Sequence, residues 1–161
     1  MKTNQMKKVL IALDYDPTAK KVAEAGFSMA KAMDAEVVLL HVISDPVYYS
    51  SVEYSPIMGL SNSLIPDPAM VEGAGKQKEL SRLFLDKIKK HLDDEAIRTV
   101  VMEGDFAESI LLSAKNMHAD AIVLGSHSHK WLENILLGSV TEKVLRQTTI
   151  PLFIVPTKKR D

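Results

Sequence analysis

Two short runs in the C-terminal part of the chain carry the residue types that an anion needs. Gly125-Ser126-His127-Ser128 is followed, after nine residues, by Gly138-Ser139-Val140-Thr141. A phosphate is held best by several backbone N–H groups that converge on one point. Glycine lets the chain turn sharply and come close. A helix N-terminus adds free N–H groups and a partial positive charge. The hydroxyls of Ser139 and Thr141 add further donors. Either run alone is commonplace, since a glycine after a strand is usually a turn and a Ser-x-Thr at a helix start is usually a cap. Together, at this spacing and in the last strand-to-helix crossover, they are much more specific.

Other residue types offer less. Asp14, just after an apolar run, has the chemistry of a general base or metal ligand. No serine elbow, second carboxylate at fixed spacing or Walker lysine accompanies it, so its residue pattern supports neither role. His127 and His129 flank the same turn and His41 is placed at the end of a strand, so three histidines on one rim could bind zinc. The H-x-H spacing is weak support, and His127 is better taken as a phosphate neighbour or a solvated loop residue. His91 and His118 fall near helix ends, where histidine suits the helix dipole. Trp131 is expected to anchor its loop against the fold. Asp93-Asp94-Glu95 and Lys158-Lys159-Arg160 are expected to be solvated.

The elements that would position these residues alternate along the chain. Val9–Leu13 reads as a buried strand ending at Asp14. Asp16-Pro17-Thr18 starts a helix, with Asp16 as the capping carboxylate and Val22, Ala25, Met29 and Met33 as its buried stripe. Glu36–Val42 is a second strand. Lys76–Leu92 is a helix with Leu80, Phe84, Ile88 and Leu92 on one face. Ile97–Glu103 is a third strand. Asp105 caps a helix carrying Ala107, Ile110, Leu111, Ala114 and Met117. Ala121–Leu124 is a fourth strand. Gly138 opens a helix with Val140, Val144 and Leu145 facing inward. Leu152–Val155 is a fifth strand. Unbroken apolar runs in most of the strands mark a parallel sheet covered by helices on both faces. Ligands of such sheets bind at the C-terminal strand ends, where the winding reverses.

Between Ser44 and about Ala74 lies a long irregular stretch with four prolines and Tyr48, Tyr49, Tyr54 and Met58. A loop of that length in a compact domain is normally functional or disordered, and its aromatic content argues against pure disorder. It is expected to pack on a site or a partner subunit. With no repeat and no linker, residues 1–161 are expected to form one domain carrying this insert.

The chain has no cysteine, which excludes disulfides and thiolate chemistry. Its formal net charge of -1 gives no general pull toward nucleic acid or anionic lipid. No apolar stretch approaches a membrane span, and Met1–Lys8 is too polar for a signal peptide. The expected location is the cytoplasm.

The string LGSHSHKWLENILLGSVTEKVL, Leu124–Leu145, and the opening VLIALDYDPTAKKVAEAG, Val9–Gly26, resemble the universal stress protein family. The pattern Gly-x-x-Gly, nine residues, Gly-Ser/Thr is the nucleotide-binding signature of its ATP-binding members. The resemblance spans the chain apart from the insert. It implies a Rossmann-like α/β fold with a five-stranded parallel sheet of order 3-2-1-4-5. Ala12, Leu13 and Asp14 would line the adenine and ribose pocket, and Val42 would meet the adenine through its backbone. Leu124 and Gly125 would lie along the sugar and first phosphate. Gly138, Ser139, Val140 and Thr141 would hold the phosphates of ATP, or of ADP or AMP, with Mg²⁺ or Mn²⁺ bridging them. Hydrolysis, if any, would be slow. A homodimer would form through Leu152–Val155.

Ser128 departs from the pattern, standing where it has its second glycine. A side chain there costs roughly 1 kcal/mol if φ is positive, unless the hydroxyl donates to phosphate instead. Ser128 and the insert motivate a rival reading, a dimeric interaction module that has lost its nucleotide. A flavin-binding electron carrier on a similar sheet is a third.

Overall fold

The computed structural model describes residues 5–44, 75–126 and 138–157. The insert, His127, Ser128, His129, Trp131 and the basic tail, about which the sequence raises expectations, lie outside them, apart from Ser44 at the insert's start.

Five strands and four helices alternate along the described chain: β1 (Lys8–Leu13), α1 (Ala19–Ala32), β2 (Glu36–Ile43), α2 (Lys76–Leu92), β3 (Arg98–Glu103), α3 (Phe106–Asn116), β4 (Ala121–Gly125), α4 (Ser139–Gln147) and β5 (Leu152–Val155). The strands form one parallel sheet in the order β3-β2-β1-β4-β5. Successive side chains of a strand point to opposite faces, and here both faces are covered. Val9, Ile11, Leu13, Val37, Leu39 and Val123 pack with Ala19, Val22, Phe84, Leu85 and Ile88 of α1 and α2. Leu10, Val38, Leu40, Val42, Ile122 and Leu124 pack with Ala107, Ile110, Ala114 and Val144 of α3 and α4. Two-sided burial is why the inner strands are continuous apolar runs. The edge strands β3 and β5 are only partly buried.

The helix interfaces differ from the sequence expectation in three places. In α1 the buried stripe is Ala19, Val22, Ala23, Gly26 and Ala30, while Ala25 is exposed and Met29 and Met33 lie at its margin. Small residues win the contact because α1 lies tight on the sheet. A Cβ added at Gly26 would come within 2.7 Å of Ile11 Cδ1. Asp16 does not cap α1 directly. Thr18 occupies the N-cap position, but its side chain accepts no bond from the helix amides. The Asp16 carboxylate instead accepts Thr18 N–H at 2.9 Å, closing a turn ahead of the helix. In α4, Leu145 is 48% exposed rather than inward-facing, and Thr141 and Val144 carry the burial.

Candidate nucleotide site

The C-terminal edge of the sheet is split where the winding reverses. Strand β1 pairs with β2 as far as Leu13↔His41. Its ladder with β4 stops at Ile11↔Val123, two residues short of the end of either strand. Ala12 and Leu13 therefore face Leu124 and Gly125 across the mouth of the switch point, with no ladder between them. Parallel doubly wound sheets take their ligands at such a crevice.

The expected site residues that the structure describes lie at this edge, and His127 and Ser128 fall outside the described residues. Ala12 and Leu13 end β1 and Asp14 follows. Val42 is the penultimate residue of β2 and is buried. Leu124 and Gly125 end β4. Gly138 is the N-cap of α4, and Ser139, Val140 and Thr141 form its first turn. Asp14 turns part of its carboxylate back to the chain, where Oδ1 accepts Asp16 N–H at 3.2 Å.

Two bonds hold the start of α4 against the end of β4. Gly138 N–H donates to Ser126 O at 2.7 Å, and Thr141 Oγ1 donates to Gly125 O at 2.8 Å. These bonds define what remains for a ligand. The amide of Gly138 and the hydroxyl proton of Thr141 are committed to the protein. The first turn of any helix leaves its leading amides without intrahelical partners. In α4 the ladder starts with Glu142 N–H on Gly138 O at 2.9 Å, and no side chain caps the helix. Glycine at the N-cap has no side-chain oxygen, and the amides of Ser139, Val140 and Thr141 have no acceptor among the described residues. Ser139 is also exposed, so its hydroxyl is accessible.

His41 is not on a rim. It is 1% exposed and lies inside β2. Its ring packs against Tyr15 and Phe84, with centroids 4.4 and 5.7 Å away. Nδ1 lies 2.8 Å from Leu13 O, an acceptor, so Nδ1 carries the proton and donates. Nε2 is buried with no hydrogen-bond partner among the described residues. Burial lowers the pKa of the imidazole from 6.5 to about 4, against the opposing pull of the Leu13 carbonyl. His41 is thus a neutral tie between β1 and β2 directly under the site, which removes it from any rim set of histidines. Tyr15 continues this layer by bonding Ser81 Oγ at 3.0 Å, and Ser81 donates to Gln77 O at 2.9 Å. No group of three or more His, Asp or Glu side chains placed to hold a metal occurs among the described residues.

Sequence reasoning missed the roles of Ser126 and Thr157. Ser126 lies inside the glycine-serine run, and its place directly after the apolar strand Ala121–Leu124 and Gly125 was the available signal. Nothing in the sequence marks Thr157.

A parallel sheet of this order, with an uncapped helix start held at its switch point, defines a class of nucleotide-binding-like α/β folds. Within that class, residues 6–156 match the model of the universal stress protein family, and the chain belongs to that family. It is 32% identical to Universal stress protein MJ0577 of Methanocaldococcus jannaschii over 94% of this chain and 96% of that protein. The solved structure of MJ0577 aligns with a TM-score of 0.69 at 28% identity, covering 97% of this chain and 99% of that one. The fold is shared more distantly with a universal stress protein solved in complex with cAMP, at a TM-score of 0.62 and 18% identity over 96% of this chain and 100% of the other. It is also shared with an Archaeoglobus fulgidus universal stress protein solved with dAMP, at a TM-score of 0.56 and 17% identity over 92% and 96%.

Proposed function

We propose that this protein binds ATP, or a close relative such as ADP or AMP, at the C-terminal edge of the sheet and serves a regulatory role in stress response. The observation that carries the reading is the first turn of α4, whose uncapped amides at Ser139, Val140 and Thr141 are fixed beside the end of β4. Such a turn favours a phosphate through its donors and its dipole. The base and sugar would lie over Ala12, Leu13, Asp14 and Val42, with Leu124 and Gly125 along the first phosphate. His127 and Ser128 complete the proposed set from the segment that joins β4 to α4. Adenine-nucleotide complexes of proteins with this fold agree with the reading. A Mg²⁺ or Mn²⁺ ion would be held through the phosphates. The proposal includes a homodimer through β5 and a cytoplasmic location.

Equilibrium dialysis with labelled ATP tests the reading. The expected result is saturable binding that unlabelled ATP displaces and phosphate-free adenosine displaces poorly. Absence of binding at millimolar ATP by folded protein would overturn it.

A further inference from the structure

Ser126 spends its polar groups on two pieces of the fold, the end of β5 and the start of α4. Its amide donates to Val155 O at 2.9 Å, and its carbonyl accepts Gly138 N–H at 2.7 Å. Its hydroxyl oxygen accepts Thr157 N–H at 3.0 Å and shares a second bond with Thr157 Oγ1 at 3.1 Å. Both side chains are buried, at 8% and 9% exposure. The bonds run from the end of the edge strand β5, through one residue, to the N-cap of α4. Thr141 adds a parallel strut from α4 to Gly125 O.

We propose that Ser126 and Thr157 are positioning residues for the phosphate end of the site, locking α4's first turn to the end of β5. This rests on the nucleotide reading above. Neither hydroxyl is needed as a ligand. A Ser126→Ala change leaves Thr157 N–H buried without its acceptor, an arrangement proteins avoid. The relief is movement of the Thr157 strand end or of Ser126 itself. Movement of Ser126 displaces the carbonyl that fixes Gly138, and with it the direction in which the Ser139, Val140 and Thr141 amides point. The base end of the site, built on β1 and β2, shares none of these bonds. The pair therefore acts on phosphate and not on nucleoside.

The test compares wild type with Ser126→Ala, Thr157→Val, the double variant and Thr157→Ser, which keeps the hydroxyl. ATP and adenosine affinities are measured by equilibrium dialysis at a temperature where all are folded. Amide hydrogen exchange of Gly138 is followed without ligand. Ser126→Ala and Thr157→Val are expected to weaken ATP about tenfold, the size of one hydrogen bond, and to leave adenosine within about twofold. The double variant should be no worse than the single ones, as for one shared network. Thr157→Ser should retain ATP affinity, and Gly138 should exchange about tenfold faster in Ser126→Ala and Thr157→Val. Equal losses for ATP and adenosine, unchanged ATP affinity in the folded variants, or a loss in Thr157→Ser equal to that in Thr157→Val would each overturn the proposal. Wild type that fails to bind ATP sinks the nucleotide reading instead. The exchange rate of Gly138 then decides the positioning claim alone, with unchanged protection refuting it.

Discussion

His41 is where one residue's chemistry reaches furthest. Its ring is buried in neutral form, with a pKa near 4 in the fold against 6.5 in an open chain. Between those two values the unfolded chain takes up a proton that the folded chain refuses, so stability falls as pH is lowered through that window. At pH 5 the loss attributable to His41 is about 2 kcal/mol relative to pH 7. Urea unfolding at the two pH values measures it. A His41→Phe variant, which keeps the ring contacts to Tyr15 and Phe84, is expected to show a pH 5 penalty smaller by that amount. Gly104 gives a second test. Its φ of +135° lies where side chains are strained, and a Cβ would meet Ser109 Oγ at 3.1 Å. Gly104→Ala is expected to cost about 1–3 kcal/mol, read from the shift in urea midpoint. The burial of His41 was not legible beforehand. A histidine at the end of an apolar run looks like the start of the polar rim. Only the carbonyl of Leu13 on the neighbouring strand explains why the run continues through it to Ile43.

Among the elements, the strands and helices were legible because each has an apolar pattern of the right period and a clear stop. The helix Lys76–Leu92 has the bounds its pattern suggests, and the strand limits move only by a residue, at Lys8, Ile43, Arg98 and Gly125. The rotational phase of α1 was not legible. Methionine and alanine compete for the buried stripe, and only the close approach at Gly26 shows that the small residues take it. The N-cap of α3 was read correctly, and Asp105 accepts Glu108 N–H at 3.0 Å. The same carboxylate pairs with Lys143 of α4 at 3.2 Å. The bond to the Glu108 amide, followed by Lys143, holds the Asp105 carboxyl below its ordinary range, although burial pushes the other way. Asp105→Ala is expected to cost about 1 kcal/mol through the lost cap. Asp105→Asn keeps a capping oxygen and loses only an exposed ion pair, so it should change stability by a few tenths of that at most. Thermal unfolding of the two variants separates the contributions.

At the scale of the whole molecule, the parallel sheet could be argued from apolar runs alone, but its strand order came through family resemblance. That order puts Gly125, Ser126 and the start of α4 at one edge, as an anion site requires. The sequence could not show which donors remain free there. Gly138 and Thr141 look like ligands in one dimension, yet they spend an amide and a hydroxyl on Ser126 and Gly125. The proposed dimer belongs to this scale as well. β5 is an edge strand with Phe153 37% exposed, and a charge on such an edge opposes pairing. In sedimentation equilibrium, Phe153→Lys is expected to be monomeric at concentrations where wild type is dimeric.

The most direct measurement replaces one amide. Gly138 has φ −66° and ψ 157°, the conformation favoured before proline, and the first helical position tolerates proline. Ser139→Pro therefore removes one N–H from the first turn of α4 at little structural cost, while Ser139→Ala removes only the hydroxyl. Calorimetric titration with ATP should show Ser139→Pro binding about tenfold or more weakly than Ser139→Ala, with equal melting temperatures. Equal affinities for the two folded variants would contradict an anion site built from the main chain of this helix.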